Sequence, residues 1–139
     1  MNENCVFCNI VAGKIPSAKV YEDNDVLAFM DIGPVMPGHV LVIPKQHFNP
    51  IWNLPDDLLA KVLAVAKRIA KVQTEVLGAD GVNLFQTNGE AAGQTVPHVH
   101  FHVIPRRNGD GAGWAIVPRP YASPAEAAAL AERLRNALA

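Results

Sequence analysis

The chain has 139 residues, half of them hydrophobic and 18% charged, with a formal net charge of −1 at pH 7. That length can bury a core without staples, and the balanced charge argues against long nucleic acid, for which a basic face is expected. No apolar run approaches the roughly 18 residues of a membrane span, and the opening MNENCVFCNIVAGK lacks the basic region and apolar core of a secretion signal. Two closely spaced cysteines suit a reducing interior better than a disulfide framework. One cytoplasmic domain spanning residues 1–139 is expected.

In chain order, CVFCNIVA (5–12) forms a short helical turn, after which IPSAKVYE becomes extended. Val26 to Asp31 reads as a strand, stopped by the turn-forming pairs Gly33-Pro34 and Pro37-Gly38. His39 to Ile43 is a second strand, ended by Pro44. Leu54 to Leu77 is a long helix: Pro55 suits a first turn, and Asp56 and Asp57 complement the positive end of the helix dipole. Leu59, Val62, Leu63, Ala66, Ile69, Ala70 and Val76 keep helical spacing, and Gly78 can supply the left-handed residue at its end. Val82 to Gln86 is a strand, followed by the loop TNGEAAGQTVP and by HVHFHVIPRR. Residues 106–122, rich in Gly and Pro, are expected to be a mobile loop. A C-terminal helix over 123–139 starts at the capping pattern Ser123-Pro124-Ala125-Glu126. The class is α+β, an antiparallel sheet of about five strands with one long helix packed on it.

HVHFHVIPRR holds three of the chain's five histidines. A strand, with its period of two, puts His98, His100 and His102 on one face and Val99, Phe101 and Val103 on the other. The β-branched and aromatic filling favours that strand. Such a row is open to three readings: structural histidines, ligands of one metal ion, or a nucleophilic site. All three rings on one ion is awkward for so flat a row. The nucleophilic reading fits the flanks best, because attack on phosphorus needs one imidazole nitrogen free while the other is held as a donor. The loop just before it, Asn88 to Thr95, has the composition of an anion cradle, in which backbone N–H groups freed at Gly93 act with Gln94 and Thr95.

H-V-H-F-H-V-I at 98–104 resembles the signature of the histidine triad (HIT) family of nucleotide hydrolases and transferases. The likeness extends through CVFCNIVAGKIPSAKVYED, LAFMDIGPVMPGHVLVIPKQH and NGEAAGQTVPHVHFHVIPR, and it points to the branch related to nucleoside phosphoramidate hydrolases. The resemblance implies that His100 is the nucleophile, forming a transient nucleotidyl-histidine, and that His102 and His98 orient and polarise the site. It implies that His39 completes the constellation and that Gln94 and Thr95 contact the phosphate or leaving group. Asp31 would accept bonds from the ribose hydroxyls, and Phe7, Ile10, Phe29 and Ile32 would form an apolar slot for the base. Thr87 stands where relatives often carry an amide, so the phosphate contact falls to it or to Asn88, while Trp114 is a candidate for substrate choice.

Cys5-Val6-Phe7-Cys8 by itself fits zinc, redox chemistry or chance; a redox motif should follow a strand and open a substantial helix. Bacterial-type relatives complete such a pair with the histidine of I-P-K-x-H, here His47, and the first triad histidine, here His98. The resemblance thus implies a structural zinc ion, no catalytic metal, and a homodimer. The expected substrate is a purine nucleotide such as AMP or an adenosine phosphoramidate. A dinucleoside polyphosphate hydrolase, a nucleotidyltransferase, a regulatory nucleotide-binding module and a zinc metallohydrolase remain as alternatives.

Overall fold

The computed structural model describes residues 2–113 and 120–138. Strands β1 (Lys19–Glu22), β2 (Val26–Met30), β3 (Val40–Pro44), β4 (Gly81–Gln86) and β5 (Phe101–Arg106) form one sheet in the order β1-β2-β3-β5-β4. Every neighbouring pair is antiparallel. Among the described residues three α-helices accompany them, α1 (Val6–Val11), α2 (Asp56–Glu75) and α3 (Pro124–Leu138), with short 3-10 turns at Ile51–Asn53 and Glu90–Ala92.

β2 and β3 read as unbroken apolar runs because both of their faces are covered. On one face Val26, Ala28, Val40, Val42, Val99, Phe101 and Val103 pack against Val62, Val65, Ala66 and Ile69 of α2. On the other, Leu27, Phe29, Leu41 and Ile43 meet Cys5, Phe7, Cys8 and Ile10. Burying each of these large aliphatic or aromatic side chains contributes about 1.5–3 kcal/mol, so the short α1 is held by what it covers.

The buried stripe of α2 is Val62, Val65, Ala66, Ile69 and Gln73. Leu63 and Val76, expected on that face, are instead exposed. Leu63 sits one residue, about 100° of turn, off the stripe, and Val76 lies past the last helical turn. The helix ends as expected, with Gly78 at a φ of +68°.

The histidine segment differs from expectation at its start. Ladder pairing begins only at Phe101, the last residue that both Val42 and Gln86 can reach. Before it, residue 98 lies in a bend, its N–H donating to the Val96 carbonyl at 2.9 Å, and the Val99 N–H donates to the Phe48 carbonyl at 2.8 Å. The alternation survives, with Val99, Phe101 and Val103 all on the α2 side.

The start of the segment expected to be a mobile loop is tied down. Arg106 closes β5, and its guanidinium binds both carboxylate oxygens of Asp110 at 2.8 and 2.9 Å. The Asn108 N–H donates to Asp80 Oδ2 at 2.8 Å. At the head of α3 the Glu126 N–H donates to Ser123 Oγ at 3.3 Å, while Glu126 Oε2 accepts from the Ala122 N–H at 3.1 Å. Trp114 lies outside the described residues.

Candidate active site

Side chains on the α1 face of the sheet line up across four strands. Phe29 pairs with Leu41, Leu41 with His102, and His102 with Phe85. Above this row lies a cavity of about 240 Å³, lined among others by Phe7, Phe29, Asp31, Thr95, His100 and His102. A larger hollow of about 590 Å³ opens on the other face, between α2 and β1–β3, but no histidine lines it. Size does not locate the chemistry here.

The hydrogen bonds fix where the protons sit. His100 Nδ1 stands 2.7 Å from the His98 carbonyl oxygen. A carbonyl only accepts, so Nδ1 carries the proton and the lone pair is on Nε2. Burial pushes the pKa of His100 down and keeps the ring neutral, and the edge of Phe7 closes over it at 5.1 Å between centroids.

A second chain runs through His39 and His102. The Val35 N–H donates to His39 Nδ1 at 3.1 Å, which leaves the His39 proton on Nε2. His39 Nε2 lies 2.9 Å from His102 Nδ1 and 3.5 Å from Asp31 Oδ2. With Nδ1 accepting, His102 carries its proton on Nε2. Burial, reinforced by the His100 and His39 neighbours, pushes the pKa of His102 down to about 4. Burial likewise lowers that of His39, against the pull of Asp31. The Phe85 ring stacks on His102 at 4.5 Å, within 11° of parallel.

Cys5, Cys8, His47 and His98 bring four ligand atoms within 4.8 Å of one another. Sulfur and nitrogen are 3.4 Å apart for Cys5–His98 and Cys8–His47, and 3.6 Å for Cys8–His98. A tetrahedral zinc ion at usual bond lengths would set such S···N edges at about 3.6 Å. His98 Nε2 lies 2.8 Å from the Pro44 carbonyl oxygen, so its proton is there and Nδ1 is free to ligate. The donor set therefore fits zinc. The His98 ring faces the two sulfurs and the Pro44 carbonyl and is not among the residues that line the cavity.

Asp31, His39 and His102 also lie within metal-binding distance of one another. The Val35 N–H weighs against an ion there, since metal at His39 Nε2 would drive the ring proton to Nδ1, where it would meet that N–H.

The loop before the triad departs most from expectation. Gln94 accepts the Gly89 N–H at 2.7 Å and donates to Asn49 Oδ1 at 2.7 Å and to the Val96 carbonyl at 3.0 Å. Asn88 Oδ1 accepts from the Ile51 N–H and Gln86 Nε2, each at 2.9 Å, and Asn88 Nδ2 donates to Gln86 Oε1 at 2.6 Å. The N–H groups of Gly93 and Gln94 are taken by the carbonyls of Glu90 and Gly89 at 2.9 and 3.1 Å. These groups brace the loop instead of standing open as a cradle. Thr95 alone of the loop's expected anion contacts, Asn88, Gly93, Gln94 and Thr95, lines the cavity. Thr87 Oγ1 is buried without a partner among the described residues. Ile32 is fully exposed at the cavity rim, whereas Phe7, Ile10 and Phe29 are buried in its wall.

Sequence reasoning missed Val35, Pro44 and Phe85. Two act through the backbone, where side-chain patterns say nothing. Phe85 was legible in principle, as the strand residue directly opposite His102.

Comparison with known proteins agrees with this architecture. The HIT domain family matches residues 12–109, and the chain belongs to that family. It is 42% identical over 136 residues to an adenosine 5′-monophosphoramidase of Schizosaccharomyces pombe, covering 96% of this chain and 97% of that one. Among solved structures, the SMU.412c protein of Streptococcus mutans is similar, with a TM-score of 0.91 and 40% identity, over 100% of this chain and 88% of its own. A Zn-bound histidine triad family protein of Mycobacterium smegmatis matches with a TM-score of 0.76 and 43% identity, over 96% and 97%.

Proposed function

We propose that the protein is a nucleotide-binding hydrolase that cleaves purine nucleoside 5′-phosphoramidates, such as an adenosine phosphoramidate, to the nucleoside monophosphate. The observation that carries this is the state of His100: neutral, with Nδ1–H held by the His98 carbonyl and Nε2 available beside an apolar cavity. The name of the Schizosaccharomyces pombe relative supports the substrate class.

In the first step the His100 Nε2 lone pair forms a bond to phosphorus as the P–N bond breaks, and the amine leaves with a proton drawn from solvent. In the second, a water oxygen bonds to phosphorus as the P–Nε2 bond breaks, the lone pair returns to His100 Nε2, and the proton of the water is released to solvent. His102 donates through Nε2–H to a phosphoryl oxygen. Asp31, whose Oδ1 already accepts the Gly33 N–H at 2.8 Å, receives the ribose hydroxyls, and Thr95 reaches the phosphate. Phe7, Ile10 and Phe29 sandwich the base.

Cys5, Cys8, His47 and His98 would hold a zinc ion, which supplies a cross-link between the N-terminal segment and the histidine strand. The outer edge of β4, which has no strand beyond it among the described residues and carries the exposed Leu84, suits pairing with a second copy as a homodimer. Among the described residues no helix is long and apolar enough to cross a membrane, and we place the protein in the cytoplasm.

The test is hydrolysis of an adenosine phosphoramidate bearing a fluorogenic amine, by wild type and His100→Ala, with and without a chelator. Chelator-resistant turnover that His100→Ala loses is the expected result. Nucleotide binding without turnover in the wild type would overturn the assignment in favour of a binding module.

A further inference from the structure

We propose that the backbone N–H of Val35 is a tautomer lock that holds His102 as a neutral hydrogen-bond donor to the reacting phosphoryl group. Val35 lies in the turn between β2 and β3, with its side chain 45% exposed, so its contribution to the site comes from its amide alone. This rests on the phosphoramidase reading above and assigns a role to a loop that the reading leaves idle.

Each link follows from what its partner can accept. The amide can only donate, so His39 Nδ1 must present its lone pair and its proton must sit on Nε2. That proton points at His102 Nδ1, 2.9 Å away. His102 Nδ1 must then present a lone pair, which puts the remaining His102 proton on Nε2. His102 lines the cavity, and Nε2 is the ring nitrogen left for a ligand.

The lock also works against an imidazolium at position 102. A second proton on His102 would sit on Nδ1 and face the His39 Nε2–H. Relief would require His39 to move its own proton to Nδ1, where it would meet the Val35 N–H. The titratable groups around His102 are His39, His100 and Asp31. Asp31 is the one acid among them, and its Oδ2 lies beside His39 Nε2, so it reinforces the His39 proton on that nitrogen. His102 therefore stabilises charge on phosphorus by donation, while the leaving amine takes its proton from solvent. No step passes a proton along the chain, because His39 could not give one up without becoming an anion.

The experiment is long-range ¹⁵N–¹H correlation of the histidine rings in the full-length, zinc-loaded protein at pH 7, paired with phosphoramidate kinetics. The wild type is expected to show His39 and His102 both protonated on Nε2 only. Val35→Pro, which has no N–H, should release His39 to populate the Nδ1–H form and lower kcat by about 10- to 100-fold with KM little changed. Val35→Ala keeps the amide and should keep both the spectrum and the rate. A wild-type His39 protonated on Nδ1, or a His102 protonated on both nitrogens, would overturn the lock whatever the fate of the proline variant. A changed tautomer with an unchanged kcat would overturn its role in the reaction. If the wild type turns over no phosphoramidate, the functional reading fails, and the spectrum still decides the lock.

Discussion

His98 serves His100 through its backbone while its ring faces Cys5 and Cys8: the carbonyl oxygen of one residue lies 2.7 Å from Nδ1 of the other, and the His98 Nδ1 atom lies 3.4 and 3.6 Å from the two sulfurs. Whatever fixes the His98 ring also fixes the acceptor that sets the tautomer of His100. Phe7, between the two cysteines, packs its edge on both rings, at 5.8 Å from His98 and 5.1 Å from His100.

Loss of one sulfur ligand should therefore reach both stability and rate. Cys8→Ser is expected to abolish stoichiometric zinc in elemental analysis and to lower Tm by about 5–15 °C. It should also reduce kcat, since α1 and the His98 carbonyl lose a common anchor, whereas a chelator does not reach a site whose Cys5, Cys8 and His98 are buried. Full zinc content in this variant would remove Cys8 from the ligand set.

Acid should lower stability and activity together. His102, at about 4, and His39 and His100 all have folded pKa values pushed below 6.5 by burial. The unfolded chain then binds protons that the native state does not. Stability is fully present above 6.5 and declines as pH falls from 6.5 toward 4. Activity follows the same direction, because protonated His100 has no lone pair. The profile of kcat/KM should be level between pH 7 and 8 and fall only at pH values under 6.5; an acid limb centred above 6.5 would contradict the burial of these rings.

Gln73 is a polar side chain 2% exposed in the stripe of α2, and its Nε2 donates to the carbonyls of Gly38 and Val103 at 3.0 and 2.9 Å. Gln73→Leu keeps the volume and strands both acceptors. A loss of about 2–4 kcal/mol is expected in urea unfolding. An unchanged midpoint would mean that the two carbonyls find other partners.

Gly38 precedes His39 with a φ of +98°, and a Cβ added there would meet Leu77 Cδ1 at 2.8 Å and Pro105 Cγ at 3.1 Å. Gly38→Ala should cost about 1–3 kcal/mol through the backbone and the contact together. Adding Leu77→Ala, a residue that is 43% exposed, should recover only the part due to the Leu77 contact. Full recovery in the double variant would show that the left-handed backbone carries no strain.

Much of this site could be read in the chain because its chemistry follows strand period. His98, His100 and His102 alternate with Val99, Phe101 and Val103, and the structure keeps that division even where ladder pairing has not begun. The Cys5, Cys8, His47 and His98 cluster also came through, on family resemblance, since nothing in local spacing joins residues 5 and 98. The bracing bonds of the amide-bearing loop could not be read from the chain, for a physical reason. Asn88 and Gln94 are as well suited to binding an anion as to bracing a turn, and only the positions of Asn49, Ile51 and Gln86 decide between the two. Val35 gave no signal, because an amide is present at every residue except proline.

The alternation at 98–103 makes this stretch intolerant of changes in length. One residue inserted after Pro97 would displace the segment by half a period. Imidazoles would then turn toward Val62 and Ile69, and aliphatic side chains would turn toward the cavity. A two-residue insertion would restore the faces but carry a different histidine to each rung of the ladder, parting position 102 from Leu41 and Phe85. Substitutions here can be graded in their effect, but insertions and deletions cannot. The segment behaves like a message with a reading frame, in which a single slip garbles the core and the chemistry together.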